Sequence, residues 1–95
     1  MLEVSWDPKK ARGNLKKHGV TFTEASTVLS DPFAEPRDDE DYPERVVLTG
    51  YSSEQRLLVV VHVEIVEENW VRIISACKAN VSERKRHSRS RKGDE

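Results

Sequence analysis

The chain has a single cysteine, Cys77, so it cannot form an internal disulfide. That excludes a disulfide-stapled secreted scaffold and fits a reducing compartment, so a cytoplasmic location is expected. No apolar run approaches the roughly 18 residues that a membrane helix needs, and no membrane partner is expected. The opening residues MLEVSWD carry an early Glu3 and alternate as a strand does, unlike a signal peptide. The net charge is only −1, with 16 Lys and Arg against 17 Asp and Glu, so no general attraction to nucleic acid or membrane follows. There is no Gly-rich phosphate loop, no HExxH and no nucleophile elbow. With no second thiol, no metal site or cofactor is expected, and Cys77 reads as a small buried residue. At 95 residues the chain makes one domain with a modest core.

The charges that are present are segregated. Asp31 to Glu44 is strongly acidic, whereas Lys9 to His18 and Lys78 to Lys92 are basic, so local fields outweigh the total. The apolar residues concentrate in Gln55 to Ala79, QRLLVVVHVEIVEENWVRIISACKA. Its β-branched density predicts two strands joined by an acidic turn, Glu67-Glu68-Asn69.

The remaining elements follow in order. Leu2, Val4 and Trp6 alternate with polar residues as a short strand, expected at a sheet edge. Asp7-Pro8 starts a helix with Ala11, Leu15 and His18 at helical spacing, and Gly19 stops it. The opposite face, with Lys9, Lys10, Arg12, Lys16 and Lys17, reads as solvated. Thr21 and Glu24 have capping-box spacing, predicting a second helix from about Thr23 to Ser30, with Ala25, Val28 and Leu29 buried. Phe33 to Glu44 reads as a surface loop. Arg45 to Thr49 reads as a strand stopped by Gly50. Asn80 or Ser82 caps a last helix with Glu83 in its first turn. Residues 1–84 form the expected domain, and 85–95 a basic, mobile tail. The fold class is α+β: a small antiparallel meander with two N-terminal helices and one C-terminal helix, the helices segregated to one face.

Strict alternation along the strand from Arg56 puts Arg56, Leu58, Val60, His62 and Glu64 on one face, and Leu57, Val59, Val61, Val63 and Ile65 on the other. The second, wholly apolar, is expected against the helices. On the next strand Arg72 shares a face with Trp70, Ile74, Ala76 and Lys78. Aligning the like faces gathers Arg56, His62, Glu64, Arg72 and Lys78 on the open side, with Arg45 joining from the strand before. A basic surface with an imidazole and a carboxylate has what metal-free RNA cleavage requires: a base for the 2′-hydroxyl, cations for the phosphorane and an acid for the 5′-oxygen. The same pattern is also that of an ordinary solvated strand face.

Four segments, WDPKKARGNLKKHGVTFTEA, ERVVLTG, RLLVVVHVE and VRIISACKANVSER, together resemble the BrnT toxins of bacterial toxin–antitoxin systems, over about nine tenths of the chain. The resemblance implies a RelE-like fold and a ribonuclease that arrests translation. It implies neutralisation by a BrnA-like antitoxin, DNA contact only through that antitoxin, and toxin dimers within a heterotetramer. It places catalytic roles on His62, Glu64, Arg72, Glu83 and Arg84, and substrate-binding roles on Arg45, Arg56 and Lys78. Family members usually carry arginine where Cys77 and Ile65 stand, and an aromatic residue at His87. Those departures give the alternative: a catalytically weakened homologue acting mainly as an antitoxin-binding corepressor.

Overall fold

The β-branched run forms the two longest strands. In the computed structural model, which describes residues 2–93 and side chains through His87, β4 (Leu57–Ile65) pairs antiparallel with β5 (Trp70–Lys78). A 3₁₀ turn at Val66–Glu68 joins them, ending at Asn69 with φ 54°. Asparagine tolerates this left-handed conformation better than most residues. Ahead of them lie β1 (Glu3–Trp6), α1 (Pro8–His18), α2 (Phe22–Thr27) with a 3₁₀ turn at Val28–Ser30, β2 (Glu35–Asp38) and β3 (Arg45–Tyr51); α3 (Val81–Gly93) follows. The sheet order is β1-β5-β4-β3-β2, with β1 added parallel at one edge and the other pairings antiparallel.

Several expectations are corrected. The stretch read as a loop, Phe33 to Glu44, contains the edge strand β2. Its charges and its proline suit an edge, where a missing N–H costs no ladder bond. Strand β3 runs through Gly50 to Tyr51. Gly50 is there for close approach: a Cβ would lie 2.8 Å from the Ala34 Cβ and 3.0 Å from an Asp31 oxygen and the Val28 Cγ1. Helix α3 extends to Gly93, where a tail was expected from residue 85; residues 94 and 95 of that tail lie outside the described residues.

The faces of the sheet are reversed from the expected assignment. Val20, Phe22, Ala25 and Val28 of the helix layer pack on Leu48, Leu58, Val60, Ile73 and Ala76. The residues of β4 under the helices are therefore Leu58, Val60 and His62, and the polar ends of that row, Arg56 and Glu64, are less buried than its centre. The wholly apolar face carries a smaller cluster, Val47, Leu57, Val59 and Ala79. Helix α3 lies on that side, where the His87 ring meets Tyr51 edge-on at 5.6 Å. So the three helices divide between the two faces.

A bulge completes the rearrangement. Val61 pairs with Ser75 but His62 pairs with Ile73, leaving Ile74 extra. Beyond it the alternation of β5 turns over. Arg72 stays on the side of Val63, whereas Ala76 and Lys78, expected to share its face, pass to the helix side.

Helix α1 buries Asn14, not Leu15, which is exposed together with His18. The last β1–β5 pair is Trp6 with Ile73, so β5 continues beyond it with no strand at that edge among the described residues. The Asn14 side chain fills the place. Its amide donates to the carbonyls of Ala76 at 2.8 Å and Val20 at 3.0 Å, and its oxygen accepts from the Ala76 N–H at 3.0 Å. Asn14→Leu strands an N–H and two carbonyls in the interior, and should cost about 3 kcal/mol of unfolding free energy in urea titration. A loss under about 1 kcal/mol would mean these groups find other partners. Gly50→Ala should cost about 1–3 kcal/mol by the same measurement, since backbone and Val28 must shift to admit a methyl group.

Candidate functional site

The uncovered part of the apolar face is edged by guanidinium groups. Arg45, Val63 and Arg72 form one row across β3, β4 and β5. Their outer Cα atoms are two strand spacings apart, about 10 Å. In the next row Arg37 pairs with Val47, Val47 with Val61, and Val61 with Ser75. Arg37 is thus a diagonal neighbour of Arg45, about 7–8 Å away. The Arg45 guanidinium stacks 4.0 Å above the Tyr42 ring, which holds it in place.

Glu83 stands at the border of this face. It forms a reciprocal cap with Asn80: the Asn80 N–H donates to Glu83 Oε1 at 2.7 Å, and the Glu83 N–H donates to Asn80 Oδ1 at 2.8 Å. Its other oxygen lies 3.8 Å from Arg37. Four residues on, and so on the same side of α3, His87 is buried with Nδ1 3.2 Å from Glu35 Oε1. That approach lies outside hydrogen-bond geometry, and neither ring nitrogen has a hydrogen-bond partner among the described residues. Glu35, Arg37, Glu83, Arg86 and His87 line a cavity of about 100 Å³.

Across the first turn of α3 lies a second cationic region, an open basin of about 630 Å³ lined by Tyr51, Gln55, Arg56, Leu57, Lys78 and Arg84. Arg56 is fixed by Glu24: its Nε donates to Glu24 Oε2 at 2.9 Å, its Nη2 makes a short contact with Oε1, and Nη2 also donates to the Gly19 carbonyl at 3.4 Å. The capping-box spacing is only half realised. The Glu24 N–H donates to Thr21 Oγ1 at 3.0 Å, but its carboxylate reaches across to Arg56 and to the Ser52 hydroxyl. The Arg56 bond holds the Glu24 carboxyl below its ordinary value of 4.5, against the opposing effect of burial, and raises Arg56 in turn. A depressed folded-state value stabilises the fold above the unfolded value near 4.5, and the gain disappears as pH falls through the lower folded value. Glu24→Gln should therefore be less stable than the parent at pH 7, with the gap closing as pH falls below the unfolded value in denaturant titrations. A gap that does not change with pH would rule out this linkage.

The eight expected site residues thus fall into three groups. Arg45 and Arg72 are together on the open face with Glu83 at its edge. Arg56, Lys78 and Arg84 line the basin. His62 and Glu64 are apart from both: His62 is 1% exposed on the helix face, with Nε2 2.8 Å from Glu64 Oε1 and Nδ1 without a hydrogen-bond partner among the described residues. The expectation that they share the open side with Arg72 is corrected: their row lies on the helix side, and the bulge puts Arg72, which pairs with Val63, on the other face. Sequence reading missed Arg37, hidden in a stretch dominated by carboxylates. It also left out His87, although the Glu83–His87 spacing of one helical turn was visible.

Of the two positions where family members usually carry arginine, Cys77 is half-buried against Val59 and its cluster. Burial first, and then the Glu83 carboxylate, raise its thiol above the ordinary value. Ile65 pairs with Trp70, six residues further along β4 than the Val59 that pairs with Cys77. At about 3.4 Å per residue, the two positions are some 20 Å apart.

A small α+β domain with an arginine-edged sheet face beside a terminal helix has the makings of a phosphate-handling protein. The family model described as "Ribonuclease toxin, BrnT, of type II toxin-antitoxin system" matches residues 6–83. The chain belongs to this family. The fold is similar to that of the crystal structure of the Brucella abortus ribonuclease toxin BrnT, with a TM-score of 0.68 and 21% identity over 84% of this chain and 99% of that one. No curated protein matches.

Proposed function

We propose that this chain is an active toxin: an RNA endonuclease that needs no metal, arrests translation and is neutralised by a BrnA-like antitoxin. In this reading DNA is met only through the antitoxin, and toxin dimers sit within a heterotetramer in the cytoplasm. The observation that carries the reading is the convergence of Arg37, Arg45, Arg72 and Glu83 on the uncovered part of one sheet face, in a chain of a ribonuclease toxin family.

The chemistry needs little beyond these groups. The guanidiniums hold the non-bridging oxygens of one phosphate and offset the charge that builds on the phosphorane. Glu83 takes the proton of the 2′-hydroxyl, the 2′-oxygen bonds to phosphorus, and the bond to the 5′-oxygen breaks. His87 shares the 100 Å³ cavity with Glu83, and that volume has room for water, so a proton can reach the leaving 5′-oxygen through it. The products are a 2′,3′-cyclic phosphate and a 5′-hydroxyl. His62 and Glu64 serve the fold in this scheme.

The alternative, a weakened homologue acting as corepressor, draws on Cys77, an uncharged residue beside Glu83 where the family usually has arginine. The two readings separate in one assay. Purified protein should cleave RNA in EDTA, leaving cyclic phosphate ends. Arg72→Ala and Glu83→Gln, the latter keeping an oxygen for the α3 cap, should each lower kcat/KM at least a hundredfold with unchanged circular dichroism. Intact RNA after long incubation with folded protein rejects the active-toxin reading. Cleavage that then appears in Cys77→Arg, but not in the distant Ile65→Arg, establishes the weakened homologue.

A further inference from the structure

Two imidazoles are buried among the described residues, and each lies against a glutamate. His62 is on the helix face, bonded through Nε2 to Glu64, where the proposed cleavage step does not reach. His87 is placed differently. It borders the cavity of about 100 Å³ that Arg37 and Glu83 also line, and its ring packs edge-on against Tyr51 at 5.6 Å. Both ring nitrogens are buried without a hydrogen-bond partner among the described residues. Polar atoms in that state cost stability, and an apolar ring would fill the same space without the cost. Glu35 stands beside this ring. It belongs to the edge strand β2, where alternation puts it on the same face as Arg37 two residues later, and Arg37 lies 3.8 Å from Glu83. Glu35 Oε1 is 3.2 Å from His87 Nδ1, and it too is buried without a hydrogen-bond partner among the described residues. A carboxylate oxygen and two ring nitrogens, all unsatisfied, therefore meet beside the carboxylate assigned to the first proton transfer. In free enzymes such contacts are often long or poorly aligned, and they tighten once substrate is bound.

We infer that Glu35 is a positioning residue for the second proton transfer: its carboxylate accepts the Nδ1–H of protonated His87, so that the Nε2–H is the proton delivered to the 5′-oxygen. The role rests on the ribonuclease reading and deepens it. A carboxylate behind an imidazole sets how the ring is turned and which nitrogen exchanges its proton. It also offsets the charge of the protonated ring, which matters here because Arg37 and Arg86 line the same cavity. The step balances. Glu83 takes the 2′-hydroxyl proton and the 2′-oxygen bonds to phosphorus. The bond to the 5′-oxygen breaks, its electron pair stays on that oxygen, and the Nε2 proton is added there. The ring is left neutral with its Nδ1–H on Glu35. Exchange with solvent then removes the proton from Glu83 and returns one to Nε2.

The test uses two RNA oligonucleotides that differ in one atom, the 5′-bridging oxygen of a single linkage being replaced by sulfur in the second. A thiolate leaves without being protonated, so the sulfur substrate has no need of the second proton transfer. Glu35→Gln keeps the size of the side chain and loses its charge. It should lower kcat/KM on the oxygen substrate roughly ten- to a hundredfold, as misplacement of a reacting group does. It should cleave the sulfur substrate at the parent rate, a result that also shows the variant to be folded. His87→Gln should show the same selective loss, at least as large. Adding Glu35→Gln to His87→Gln should cost nothing further, since both act through one ring. Glu83→Gln, which removes the other proton transfer, should lose activity on both substrates. Equal losses of Glu35→Gln on the two substrates, no loss on either, or additive losses in the double variant would each overturn the positioning role and leave the ribonuclease standing. Parent protein that cleaves neither substrate overturns the ribonuclease reading and this role with it.

Discussion

One side-chain amide decides how far β5 can run. Strand β1 leaves the sheet at Trp6 to start α1, and without a neighbour the following part of β5 would bury unpaired backbone groups. Asn14 acts as a single peptide unit of the missing strand, giving and taking a hydrogen bond at Ala76 while its second N–H closes onto Val20. The chain can therefore turn into a helix early while β5 continues to Lys78. That continuation carries Lys78 to the basin and brings the residues that cap α3 just beyond it. The same amide fixes α1 against the sheet from within the core, so the helix needs little apolar surface of its own, and Leu15 is left exposed.

The bulge at Ile74 is the second constraint. A flat ladder would have kept Arg72 and Lys78 on one side and made a single cationic face. Turning β5 over sends Lys78 to the edge beside Arg56 and the Glu24 carboxylate, and puts Ser75 and Cys77 on the side of Arg72. Two cationic regions result, with the first turn of α3 between them. The Asn80–Glu83 cap thus has two effects at once: it starts the helix and sets a carboxylate at the boundary between the two regions.

Much of the fold was legible because it follows local rules. The acidic turn before β5, the Asp7 cap and proline start of α1, its Gly19 stop and the meander all depend on residues near one another in sequence. What was not legible depends on distant partners. Alternation along β4 gives two faces but not which one the helices cover. The wholly apolar row looked the better candidate, yet the row with polar ends is the one buried, since its Arg56 reaches Glu24 and its Glu64 stays exposed near the end of β4. The partial cover of the apolar row by α3 could not be foreseen either, because that helix has no apolar stripe and contributes the buried His87 ring instead. No residue pattern announces the bulge. The site divided accordingly: Arg45 and Arg72 lie in one row opposite Val63, while His62, Glu64 and Lys78 were placed by an alternation that the tertiary structure reversed or interrupted.

The acidic segment gains a role from the same geometry. Read alone, Asp31 to Glu44 repels RNA and resembles a solubilising loop. In the sheet it supplies the edge strand β2, whose Arg37 points to the open face opposite Val47. The carboxylate of Asp31 is spent on the backbone N–H groups of Phe33 and Tyr51, and that of Asp39 on Asp41 and Tyr42. Those bonds shape the approach to β3, and the charges of the edge strand β2 discourage another chain from pairing there. A protein of net charge −1 has no long-range pull on a polyanion at physiological salt, where charges are screened beyond about 8 Å. In the proposed reading, RNA is then recognised by contact at a few arginines, with surrounding carboxylates rejecting strands that do not reach them. Under the proposed toxin reading this is a favourable balance, since a cationic face that small is within reach of a single segment of a neutralising partner.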